Sequence, residues 1–235
     1  RRAPPQSGQP LLMSVITTIS ERRTIQIPVD TGVISLRGLS PQRHRFELEY
    51  ALERGSTANS VLFAAGDGEP SVLVHPPGAA YSSMFLPVLA EQLADRDQQL
   101  LVVVGHVNPN RVALLRDLAD NYSKLELITS NAGAKVLAEL WTQRKPALPG
   151  QEVEQPPLPD LPPLRVIRHE QTLAMAHGRC LQLLATPTPR WPGGLLAFEQ
   201  SLGLLMSDKF FSAHLCTEEW AETNRTSTEE ERRHF

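Results

Sequence analysis

Apolar and polar residues follow two rhythms along this chain. Up to residue 54 the pattern is short and strand-like. Ser14–Ser20, Thr24–Val29, Gly32–Leu36 and Arg45–Leu52 are alternating or β-branched, which predicts strands. Turn signals at Asp30-Thr31-Gly32 and Arg54-Gly55-Ser56 separate them, so the start of the chain reads as an antiparallel sheet.

From Asn59 the pattern lengthens. The runs Ser60–Ala65 and Ser71–His75 flank Gly66-Asp67-Gly68 and predict a hairpin. Ala80–Arg96 carries Met84, Phe85, Val88, Leu89 and Leu93 at helical spacing. Gln99–Gly105 is a continuous apolar run, the signature of a strand buried on both faces. A helix over Asn110–Asn121, a strand over Lys124–Thr129 and a helix over Asn131–Gln143 follow. Strand and helix in alternation predict a largely parallel sheet.

The pattern then breaks. Residues 146–164 hold seven of the chain's 20 prolines, which predicts an extended, solvated insertion. Four strands close the order: Leu164–Arg168, Arg179–Ala185, Gly194–Phe198 and Gly203–Met206. A meander, then alternating α and β, then strands again does not fit one sheet. Two facing sheets with helices outside would accommodate it.

Composition narrows the reading. The chain has 235 residues and a mass of 26.0 kDa, about one large domain. Residues 1–13 read as a disordered lead-in and 14–235 as the domain. The net charge of −3 sits entirely in residues 217–235, where acids outnumber bases. The rest is balanced, which removes the electrostatic basis for non-specific nucleic-acid binding. No apolar run reaches the ~20 residues of a membrane helix, and the first residues lack the apolar stretch of a secretory signal. Cys180 and Cys216 are too few for a disulfide framework and read as reduced thiols of a cytoplasmic protein. The charged end, Glu229 to Phe235, reads as the interior of a helix cut short.

Polar groups converge at three loops that follow strands, where open α/β sheets place function. Gly105-His106-Val107-Asn108-Pro109-Asn110-Arg111 follows the most apolar strand, with Asn108 or Asn110 as helix cap and Pro109 in the first turn. Thr186 to Pro192 contains Arg190-Trp191-Pro192, and Ser207-Asp208-Lys209 follows the last strand. His75 ends a strand before two prolines and reads as structural.

Taken together, these loops resemble the metallo-β-lactamase-like core of flavodiiron proteins (A-type flavoproteins), in the divergent form found in oxygenic phototrophs. The family's first loop is His-x-Glu-x-Asp-His; here it is His106-x-Asn108-x-Asn110-Arg111 with the family's proline as Pro109. The second loop supplies a histidine before Trp-Pro, where this chain has Arg190. The third supplies a bridging aspartate, matched by Asp208. The resemblance implies a four-layer αββα sandwich with two mixed β-sheets. It also implies a flavodoxin-like FMN domain after residue 235; no Gly-rich phosphate loop occurs within the chain.

The resemblance implies a function as well: an oxidoreductase subunit carrying electrons from NAD(P)H or ferredoxin through FMN to dioxygen, reduced to water in photoprotective electron transport. Of the six matched ligand positions only His106 and Asp208 keep their type. Asn108 and Asn110 are neutral amides; Arg111 and Arg190 are permanent cations. Two ligands do not hold a diiron centre, so chemistry is expected at the flavin or in a partner subunit, and no metal or catalytic residue is assigned here. Arg111 and Arg190 are expected to converge on Asp208, leaving a cationic pocket that could take a small anion. The implied partners are a second copy or a related flavodiiron subunit, and His214 falls where a partner's flavin would dock. The alternative is a non-catalytic scaffold or regulatory subunit that senses an anion.

Overall fold

The computed structural model describes residues 21–41, 55–66, 68–93, 95–144, 157–212 and 215–221. The strands expected at Ser14–Ser20 and Arg45–Leu52, the charged C-terminal helix, His214 and much of the proline-rich insertion lie outside the described residues.

Among the described residues seven strands form the larger sheet in chain order: β1 (Arg23–Asp30), β2 (Val33–Ser40), β3 (Ser56–Phe63), β4 (Ser71–Val74), β5 (Leu100–Val104), β6 (Leu125–Ser130) and β7 (Leu164–Ile167). Neighbours from β1 to β4 are antiparallel and from β4 to β7 parallel. The change of direction follows the connections: a tight turn joins β1 to β2, whereas helices α1 (Ser82–Gln92) and α2 (Pro109–Asn121) bridge the parallel strands. Helix α3 (Asn131–Thr142) leads from β6 into the proline-rich segment. A 3₁₀ turn at Ala79–Tyr81 precedes α1, so the regular helix is shorter than the span Ala80–Arg96 predicted for it.

The smaller sheet contains β8 (Glu170–Ala174), β9 (Cys180–Ala185), β10 (Leu195–Glu199) and β11 (Leu204–Met206) in the order β11-β10-β9-β8. All its pairings are antiparallel, so only the larger of the two sheets is mixed, a correction to the expected pair of mixed sheets. Strand β8 was not legible in the sequence. Only Leu173 of its five residues is buried, and an edge strand with one apolar contact leaves almost no pattern.

Period-two alternation divides the core in two. Leu100, Val102 and Val104 of β5 join Leu73, Leu125 and Leu127 against the helices, where Phe85, Leu89, Leu115, Leu118, Leu137 and Trp141 meet them. Leu101 and Val103 face the other way, with Val72, Val74 and Ile128, onto Leu181, Leu183, Leu195, Ala197 and Met206 of the smaller sheet. Burial on both faces is why Gln99–Gly105 reads as unbroken hydrophobicity. Among the described residues the three helices, the larger sheet and the smaller sheet make three of the four expected layers. Among the described residues no helix covers the outer side of the smaller sheet.

Candidate functional site

Strands β4 and β5 run parallel and end together, and the turn after β11 meets them across the gap between the sheets. At the end of β4, His75 leaves the strand with φ of 54° and is buried. Its N–H donates to Val103 O (2.8 Å), its carbonyl accepts from Ser60 Oγ (2.9 Å), and its Nε2 lies 3.3 Å from Met206 O. Burial pushes its pKa down; the carboxylate of Asp208 opposes that and the guanidinium of Arg111 adds to it.

Gly105 follows β5 and has no room for a side chain. A Cβ there would stand 2.6 Å from Asp208 Oδ2 and 3.1 Å from Leu195 O. The space is filled by the aspartate, which the next residue grips through its main chain: His106 N–H donates to Oδ2 at 2.5 Å. Asn108, with extended φ and ψ, caps α2 by accepting from Arg111 N at 2.8 Å. Pro109 then occupies the first turn, where its missing N–H has no consequence.

The cap starts α2 so that Arg111 turns back over the loop. Its Nη1 donates to His106 O (2.6 Å) and Asp208 Oδ2 (3.2 Å), and its Nη2 to Asp208 Oδ1 (3.1 Å). The two side chains are 10% and 7% exposed, so this is a buried two-pronged ion pair. Burial alone would raise the Asp208 pKa. The charge and hydrogen bonds of Arg111, with the His106 N–H, outweigh it and hold the carboxyl well below the usual carboxylate range. Protonated His75 would act in the same direction, but its burial disfavours that form, so Arg111 is the standing partner.

Arg190 corrects the expectation from sequence. It does not converge on Asp208; it is exposed, and its guanidinium lies over the ring of Trp191, 5.6 Å from the centroid. The β9–β10 loop fixes this. Thr188 Oγ1 accepts from Trp191 N (3.0 Å), and Trp191 O accepts from Thr188 N and Gly194 N. The turn so formed sets Trp191 edge-on against Phe210 at 5.8 Å, with Arg190 on its outer side.

A broad open cavity of about 880 Å³ unites these groups, bordered by His75, His106, Asn110, Arg190, Phe210 and Trp220 among others. Phe211, 90% exposed, stands at its rim. Among the described residues no three His, Cys, Asp or Glu side chains gather as a metal would require. The sequence reading missed Gly105 and the main chain of His106 as the groups that seat Asp208. The glycine directly after a buried strand was the one available signal.

No family model matches the chain. Among curated proteins it is 34% identical over 214 residues to diflavin flavoprotein A 6 of Nostoc sp., covering 91% of this chain and 34% of that protein. It is 36% identical over 181 residues to diflavin flavoprotein A 4 of Synechocystis sp., covering 77% and 27%. Among solved structures it superposes on a metal-soaked flavodiiron core from Synechocystis sp. with a TM-score of 0.74 and 29% identity, over 91% of this chain and 49% of that one. This chain belongs to the flavodiiron family of A-type flavoproteins. A fragment of diflavin flavoprotein A 5 from Nostoc sp. agrees, with a TM-score of 0.69 and 28% identity over 84% and 70% of the two chains. A flavoprotein from Thermotoga maritima, 18% identical, shares the fold at a TM-score of 0.69. The chain spans about a third of the length of the curated relatives it matches. Among its described residues no helix is long and apolar enough to cross a membrane.

Proposed function

We propose that this core belongs to an oxidoreductase subunit of the flavodiiron type, in a cytoplasmic protein that takes electrons from NAD(P)H or ferredoxin through FMN to dioxygen, forming water. The FMN belongs to a part of the protein outside this chain. Oxygen chemistry takes place at that flavin or in a related partner subunit, and this core contributes architecture and a docking site in a homodimer or hetero-oligomer.

One observation carries this reading: Asp208, at the place of the family's bridging carboxylate, has both oxygens occupied by Arg111 and the His106 N–H. A bridging carboxylate must offer those lone pairs to two cations, and a guanidinium cannot lose its proton to make way. Asn108, at a second ligand position, spends its oxygen on the helix cap. The residues present therefore do not fit two irons.

The scaffold reading, with a small anion held between two guanidiniums, has weaker support. Arg111 is neutralised by Asp208, and Arg190 lies on the rim over Trp191. Elemental analysis of the purified protein, after growth with added iron, tests the main reading. Iron far below one atom per chain is the expected result. About two irons per chain would overturn it and restore a self-sufficient oxygen reductase.

A further inference from the structure

Away from Asp208, the same cavity ends on β2 and β3, where the inner face of the larger sheet turns from apolar to polar. Val33 belongs to the core between the sheets, and Ser35 and Arg37 continue that face along β2. Arg37 is only 8% exposed. Among the described residues no carboxylate pairs with it. Its Nε donates to Asn59 Oδ1 at 2.8 Å, and Asn59 is its cross-strand neighbour in register. Its Nη1 donates to two main-chain carbonyls far along the sequence, Thr217 O at 3.3 Å and Glu219 O.

A buried cation is costly unless its donors are satisfied. Here Asn59 accepts from Nε and two carbonyls of residues 215–221 accept from Nη1, although that segment has no helix or strand of its own. Its one ion pair among the described residues, Glu218 with Arg23, joins side chains that are 44% and 42% exposed, a pairing of small value. Trp220, 49% exposed, lies beyond the clasped carbonyls and lines the cavity.

We propose that Arg37 is the clasp of a strap: it fastens residues 215–221 across the β2–β3 end of the cavity, and releasing it frees Trp220 and opens that end. The inference is independent of the oxygen chemistry, since it rests on none of the groups around Asp208. The device controls how much of the cavity is accessible and gives a partner molecule a defined element to displace.

Cys216 lies in the strap and reports its opening. Burial raises its thiol pKa, and the Ser40 main chain, Arg23 and Arg37 pull it down. Removing the Arg37 charge would by itself leave less thiolate and slow labelling, so faster labelling reads exposure rather than electrostatics. In the full chain, with Cys180→Ser to remove the exposed thiol, the labelling rate of Cys216 by an aromatic disulfide reagent is measured alongside hydrogen exchange over 215–221. Arg37→Met is expected to raise the labelling rate about tenfold or more, the factor implied by losing a charge-assisted hydrogen bond. Asn59→Ala, which frees only the Nε contact, should give a smaller rise, and Arg23→Ala less than about twofold. If Arg37→Met does not fold, Asn59→Ala decides: faster labelling supports the clasp. Unchanged labelling and exchange in the folded variants would overturn it.

Discussion

Arg111 and Arg190 arrive at the same cavity from different elements and end in opposite states. Arg111 springs from the first turn of a capped helix, is buried, and binds Asp208 through two nitrogens. Arg190 springs from a proline-rich loop, is exposed, and rests on Trp191. The same cation at two loops of one cavity therefore has two different roles. One guanidinium ties the loop after β5 to the turn after β11. The other has become a feature of the rim. The backbone decides between them: a helix cap aims Arg111 inward, and a turn around Trp191 aims Arg190 outward.

The sharpest test of that contrast is the removal of charge at the buried pair. Asp208→Asn keeps size and tolerance of positive φ (53° here) but leaves Arg111 charged and unpaired. Breaking a buried pair from one side costs about 3–5 kcal/mol, read as a fall in the urea midpoint at unchanged slope. Arg111→Met should cost as much, because Asp208 would keep its charge in the same dry site. Losses below about 1 kcal/mol for both would mean water reaches the pair, and the contrast with Arg190 would fall.

How far the sequence reveals this site depends on which contacts are local. Strand β5 and helices α2 and α3 were legible because their patterns repeat within ten or so residues. The Asn108 cap and Pro109 were legible because capping is a local rule. The seating of Asp208 was not, since it depends on His106 N–H and on a gap at Gly105 about a hundred residues away in the chain. Arg190 misled because its chain position promised convergence while its direction came from hydrogen bonds within a loop. Strand β8 stayed hidden for want of apolar residues, and Arg37 because its partners lie 180 and 182 residues on.

A second, smaller effect separates His75 from Asp208 by pH. The buried imidazole has a lowered pKa in the folded chain, whereas an unfolded histidine titrates near ~6.5. Below that value the unfolded state binds the extra proton. Stability is thus fully present above about pH 6.5 and falls as pH drops through that value, by at most ~1.4 kcal/mol per unit. Asp208 has its own window. Its folded pKa is depressed, so its contribution holds above about pH 4, the unfolded value, and is lost below that. Urea unfolding at pH 7.5, 6.0 and 5.0 should show a decline that His75→Asn flattens, asparagine being tolerant of the positive φ. An equal decline in the variant would place the titrating group elsewhere.

The smallest expected effect closes the contrast. Arg190→Ala removes a guanidinium that lies over a half-buried tryptophan and meets no described carboxylate, so stability should change by about 0.5–1 kcal/mol at most. Its effect should appear instead in the fluorescence of Trp191, which loses its cationic neighbour while Phe210 keeps it in place at 5.8 Å. A loss comparable with that of Arg111→Met would mean that Arg190 swings inward in solution and shares Asp208. Two guanidiniums would then stand over one carboxylate, and the excess positive charge that an anion requires would exist after all.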